Sequence, residues 1–381
     1  MRVPLTPFGR PPAHRTRHDH RSHRPHRDDD KDPPVTQYVD WTFAKTTGAR
    51  LAPAGPDVSH DEAREVVEQV RDLAARAVAP VAHTSRLHAP GDAPAPLVVD
   101  RPTWISVNVD SMAAMLEPVV DRLAQTQRTA PGKTAQAIGG KVTGAEAGGL
   151  LAFLSTKVLG QYDLAPGGTP ALLLVAPNLV HVERELGVDP RDFRYWVCLH
   201  EETHRVQFTA VPWLRDHLVT EAQSLASDMV PDQEALRERI EQVARQLPRA
   251  FSGEGQGLAD VFATPEQRER MAELTAVMAL LEGHADVVMD DVGPAHVPTV
   301  ETIRARFDQR RKGAGAADRM LRRLLGLEAK MRQYRDGAHF VREVQRSVGV
   351  DGFNAIWTSP QTLPRAAEIT EPSAWVRRVH G

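Results

Sequence analysis

The segment Leu199-His200-Glu201-Glu202-Thr203-His204 carries the spacing H-E-x-x-H. On a helix, two imidazoles four residues apart lie about 40° from each other around the axis and about 6 Å along it, so both can reach one ion of zinc. Glu201 stands about 80° from the mean direction of the two histidines, within reach of a water molecule beside that ion, whereas Glu202 stands about 180° away. Glu201, and not Glu202, is therefore the expected general base. A chain of this composition would show the pattern by chance roughly 0.04 times, so its presence is informative.

Catalytic zinc keeps three protein ligands and one open position, so a third ligand must come from elsewhere. A third histidine six residues on is excluded, because Gln207 stands where that extended pattern has Gly and Ala210 where it has His. The strongest source is Leu281-Glu282-Gly283-His284-Ala285-Asp286, inside a stretch from Leu274 to Met289 that is apolar almost all round. Such a helix is buried, and buried charges are found paired or on metals. Glu282 is the expected third ligand and His284 its rival. Asp286 shares a face with Glu282 and is placed to accept the free N–H of a ligand histidine. Cys198 points away from the histidines and belongs to the core.

The metal pattern works only if helices hold it. Asp189-Pro190-Arg191-Asp192 is a helix start, with an Asp cap, Pro at the first helical position and an acid in the first turn, and Pro212 stops the helix, which predicts a span of about 190–210. Ser59 or His60 leads into a helix over Asp61–Val78, and Asp100-Arg101-Pro102-Thr103 starts another. Further helical patterns cover 215–247, 264–291, 300–335 and 338–348. Leu172-Leu173-Leu174-Val175 is the best strand, and the Pro/Gly clusters at 89–96 and 129–149 read as loops. Gly139-Gly140-Lys141-Val142 lacks the upstream Gly and the Ser/Thr of a phosphate loop. The fold class is mainly α, an α+β chain with few short strands, with the metal motif on a buried helix.

The chain has 381 residues, 47 Lys+Arg and 50 Asp+Glu, for a formal charge of −3, which excludes a generic polycation that binds nucleic acid through overall charge. The basic run Arg304, Arg306, Arg310, Arg311, Lys312, Arg319, Arg322 and Arg323 has no interleaved aromatic platform and reads as a solvated helix face. No apolar run approaches a membrane span, and the charged N-terminus is not followed by the apolar segment of a secretory signal, so no membrane or nucleic-acid partner is expected. The single Cys198 excludes an internal disulfide and fits a reducing cytoplasm. Residues 1–35, rich in Arg, His and Pro, read as a disordered tail, in which His14, His18, His20, His23 and His26 could hold metal adventitiously. Residues 36–381 then form a single mainly helical domain, folded from about Val39 and Trp41 onward.

These motifs resemble those of the actinobacterial zincin-like hydrolases, described as zinc-dependent metalloproteases associated with deazaflavin-coenzyme biosynthesis. The carriers are Val39-Asp40-Trp41, Val99-Asp100-Arg101-Pro102, the H-E-x-x-H segment with Gln207-Phe208, Pro212-Trp213-Leu214, the segment 281–286, and Gln333-Tyr334 with Phe340-Val341. The resemblance implies a zinc site on a mostly helical fold and supplies no substrate. More distantly, H-E-x-x-H with E-x-x-x-D is similar to the gluzincins, which implies a ligand role for Glu282 and a supporting role for Asp286.

The expected activity is hydrolysis of peptide or amide bonds by a zinc-activated water, with Glu201 passing its proton to the leaving amine. His284, Tyr334 or an arginine of the C-terminal helices is the candidate donor to the oxyanion. Two other classes share the motif: a non-catalytic zinc-stabilised scaffold or partner-binding protein, and an amidohydrolase of small metabolites.

Overall fold

The computed structural model describes residues 38–91, 93–126, 133–229, 263–312 and 327–381, so the N-terminal tail and much of the basic run lie outside the described residues. Helices dominate: α1 (Trp41–Leu51), α2 (His60–Ser85), α3 (Arg101–Thr126), α4 (Lys133–Leu154), α5 (Ala176–Leu186), α6 (Pro190–Ala210), α7 (Pro212–Asp228), α8 (Pro265–His296), α9 (Val300–Lys312), α10 (Leu327–Phe353), α11 (Ala366–Thr370) and α12 (Pro372–His380). Three short strands, β1 (Leu97–Val99), β2 (Gly160–Asp163) and β3 (Ala171–Val175), form one sheet in the order β1-β3-β2. β1 runs parallel to β3 with Leu97 opposite Leu173, and β2 runs antiparallel to it with Gly160 opposite Leu174. No described helix is long and apolar enough to cross a membrane.

β3 separates two apolar clusters, because successive side chains on a strand point to opposite faces. Leu174 packs with residues of α2, α5, α6, α8 and α10, while Leu173 and Val175 pack with Ala44, Trp104, Ile105, Val109, Leu151 and Ala152. The first and larger cluster surrounds α6 and α8. Val66, Val70, Leu73, Ala77 and Val81, at helical spacing, give α2 the apolar face that lies against α6.

The ends of the helices follow local chemistry. Asp189 caps α6 by accepting from the backbone N–H of Asp192 at 2.9 Å, with Pro190 at the first position. Asp100 caps α3 in the same way through the N–H of Thr103 at 2.8 Å. Thr264 and Gln267 form a reciprocal capping box at the start of α8.

The segment 129–149, read from sequence as a loop, is helical from Lys133 onward. Its glycines are a packing surface. A Cβ on Gly144 would lie 2.5 Å from the carbonyl oxygen of Asp40, and one on Gly148 would lie 2.5 Å from that of Ala44, so only glycine lets α1 approach this closely. The close contact offsets the roughly 1 kcal/mol per residue that glycine costs a helix. A second close approach joins α8 to α10, where a Cβ on Gly283 would lie 2.2 Å from the carbonyl carbon of Gly337.

Candidate metal centre

α6 presents His200 and His204 to one side and α8 presents Glu282 opposite them. His200 Nε2 and His204 Nε2 are 3.2 Å apart, and Glu282 Oε2 lies 3.6 Å from the first and 3.7 Å from the second. A triangle with these sides has a circumradius of about 2.0 Å, the zinc–nitrogen and zinc–oxygen bond length. The donor set therefore fits zinc in number, kind and spacing: two imidazoles and a carboxylate around one ion-sized point. Among the described residues this is the group of His, Cys, Asp and Glu side chains able to hold a metal.

The electrostatics of the three groups are mutual. Burial disfavours the charge of Glu282, but His200 and His204 outweigh it and hold its carboxyl well below the usual range. Burial likewise disfavours the charged form of His204, but the carboxylates of Glu282 and Glu201 outweigh it and raise the group to about 9. Without a metal the site holds protons. A divalent cation must displace them, so its binding is expected to release protons.

Glu201 lies beside this triangle and is buried, with 7% of its surface exposed. Burial raises its carboxyl above the ordinary value, against the lowering effect of His200 and His204. β2 presses directly on it: a Cβ on Gly160 would lie 2.4 Å from Glu201 Cδ, so glycine at this position leaves room for the carboxylate. Glu202, on the other side of α6, is closed in a bidentate pair with Arg205 at 2.7 and 2.7 Å.

The centre opens into a cavity of about 440 Å³. Its walls carry Tyr162, Phe208, Leu218, Met278, Met289 and Phe307 beside the metal-facing residues. Tyr162 and Phe208 stack in parallel, 5.0 Å between ring centroids. Tyr162 supplies the side-chain hydroxyl of this wall, and burial raises it above the ordinary value, so it stays protonated.

The other expected site residues are placed as follows. Asp286 lines the cavity with Oδ1 3.8 Å from His200 Nδ1, longer than a hydrogen bond but on the side of the ring expected for a supporting carboxylate. His284 differs from expectation: it is fully buried, is not among the cavity's lining residues, and packs against the rings of Phe353 and Trp357. It follows Glu282 by two residues, which turns it to the far side of α8, so it reaches neither the metal triangle nor an oxyanion in the cavity. Tyr334 falls in α10 but its side chain lies outside the described residues, and no described arginine lines the cavity. Cys198 is buried in the core, with Sγ 3.9 Å from the carbonyl of Val70. In the basic run, Arg304 pairs with Asp290, Arg306 bonds the carbonyls of Leu186 and Gly187, and Arg310 pairs with Glu185 at 2.9 Å. These three are engaged within the chain.

Gly160 and Tyr162 escaped the sequence, and Gln207, noted there as a carrier of the family resemblance, was given no role at the site. Nothing marks the first two, which reach the site through the sheet. Gln207 carried a signal in retrospect, a buried polar residue three positions after His204 and between the apolar Val206 and Phe208.

The chain belongs to the family of zincin-like metallopeptidases, which matches residues 39–376. It is also similar to a crystal structure from Chloroflexus aurantiacus described as "a putative hydrolase with a novel fold". The two are 29% identical over 90% of this chain and 99% of that one, with a TM-score of 0.61. No curated protein shows a significant match.

Proposed function

We propose that this chain is a zinc-dependent hydrolase of peptide or amide bonds, with His200, His204 and Glu282 as the metal ligands. The observation that carries the reading is the triangle of donor atoms, sized for zinc, opening into a cavity beside the buried carboxylate of Glu201. Zinc held there supplies Lewis acidity, polarising a carbonyl and acidifying a water molecule.

The chain's own residues do the rest. Glu201 takes a proton from the attacking water and returns it to the leaving amine nitrogen, and its burial raises its affinity for that proton. Tyr162, kept protonated in the wall, donates its hydroxyl hydrogen toward the developing oxyanion. The apolar walls seat apolar side chains of the substrate.

The test is Glu201→Gln against a panel of casein, fluorogenic peptides and small amides. Turnover is expected to fall about 10²–10⁴-fold while zinc content is unchanged. Unchanged turnover would sink the assigned base. Activity confined to small amides would move the substrate from peptides to small metabolites, and no activity on any of them, with zinc bound, would favour a zinc-stabilised scaffold.

A further inference from the structure

Gln207 is completely buried and makes three side-chain contacts. Its Oε1 lies 3.0 Å from His204 Nδ1, and its Nε2 lies 2.9 Å from the carbonyl oxygen of Leu281 and 3.0 Å from His284 Nδ1. The chemistry of these partners fixes every proton. The Leu281 carbonyl can only accept, so the amide nitrogen must face it and the amide oxygen must face His204. His204 Nδ1 therefore carries a proton, which it donates to Gln207, and its Nε2 is left to the metal side. The second amide hydrogen goes to His284 Nδ1, which must accept. The proton of neutral His284 then sits on Nε2, an atom buried beside Phe353 and Trp357 and without a hydrogen-bond partner among the described residues.

From this network we propose that Gln207 is the positioning residue of the metal centre. Its one amide holds the His204 ring in the protonation and orientation that present Nε2, and ties α6 to α8 at the residue before Glu282. His284 is the far anchor of the same clamp, acting through Gln207. The inference rests on the reading of His204 as a metal ligand. It also explains why this buried helix carries a glutamine where the longer histidine pattern has a glycine. Supporting groups of this kind typically cost about 10- to 100-fold in metal affinity when removed.

Two measurements on the full chain test it. The first is zinc affinity by competition with a chelator, comparing the parent with Gln207→Met, which keeps volume and removes both the acceptor and the donors. Affinity is expected to fall about 10- to 100-fold. A variant that loses thermal stability in the zinc-free state but binds zinc like the parent would show that Gln207 only packs, and would overturn the proposal. The second needs no variant of Gln207 and covers the case in which Gln207→Met does not fold. In ¹⁵N-histidine spectra of the parent, with and without zinc, His284 is expected neutral with its proton on Nε2, its signal assigned by disappearance in His284→Phe. A proton on His284 Nδ1 would contradict the clamp. A parent that takes up no zinc would sink the zinc reading, and the His284 tautomer would still decide for or against the clamp.

Discussion

The two faces of α6 carry the same kinds of side chain and treat them in opposite ways. On one face Glu202 and Arg205 close on each other through two hydrogen bonds of 2.7 Å, both side chains buried. On the other, His200 and His204 lie 3.2 Å apart and face Glu282 of α8 at 3.6 and 3.7 Å, and the charges that favour ionised Glu201 are those of the two histidines. A buried pair that satisfies itself is structural; half-buried groups arranged around an ion-sized centre are poised for something between them. Sequence neighbours thus divide into scaffold and site by their partners, not by their type.

That contrast can be broken at Glu202. Glu202→Ala would leave the Arg205 guanidinium buried and unpaired and is expected to cost about 3–5 kcal/mol of stability, read by denaturant unfolding, with zinc content per folded chain unchanged. Replacing both partners with methionine should recover most of the loss. A Glu202→Ala protein that unfolds like the parent but loses zinc would reverse the assignment of the two faces.

A smaller change sharpens the comparison at the site. Gly160→Ala places a methyl group 2.4 Å from Glu201 Cδ and must push the carboxylate aside. An ångström-scale displacement of a base is worth about 10²-fold in turnover, so kcat is expected to fall by that order with zinc retained. Full activity in Gly160→Ala would show that the position of Glu201 is not critical.

The smallest expected effect concerns a paired carboxylate that does not line the cavity. Burial would raise the carboxyl of Glu368, but Arg378 and the backbone of Arg365 outweigh it and hold it below its ordinary 4.5. Its stabilisation is therefore fully present above about pH 4.5 and is lost as the pH falls through the folded value. Melting temperatures of the parent and Glu368→Gln should converge on acidification. A gap that widens toward low pH would contradict the sign.

The site-bearing helices were legible because their ends are chemically marked. Asp189-Pro190 and Pro212 bound α6 where the structure does, and the apolar run from Leu274 led to the helix that faces it. Glu282 could be singled out because a carboxylate in such a run needs a partner. The α1–α4 contact was not legible, since Gly144 and Gly148 weaken an isolated helix and become favourable only when α1 packs against them. The same holds for Gly283 and Gly337. The direction of His284 follows from helical geometry, but its partner does not: Gln207 reaches it across two helices that are distant in sequence. Gly160 and Tyr162 enter the site through strand pairing with β3, which local patterns do not encode.

The most direct test of the central claim is the metal content of the purified chain by mass spectrometry, beside His200→Ala and Glu282→Ala. The account predicts about one zinc per chain in the parent above any contribution of the histidine-rich tail, and its loss in both variants. Equal metal in the parent and the two variants, or none in the parent, would contradict it.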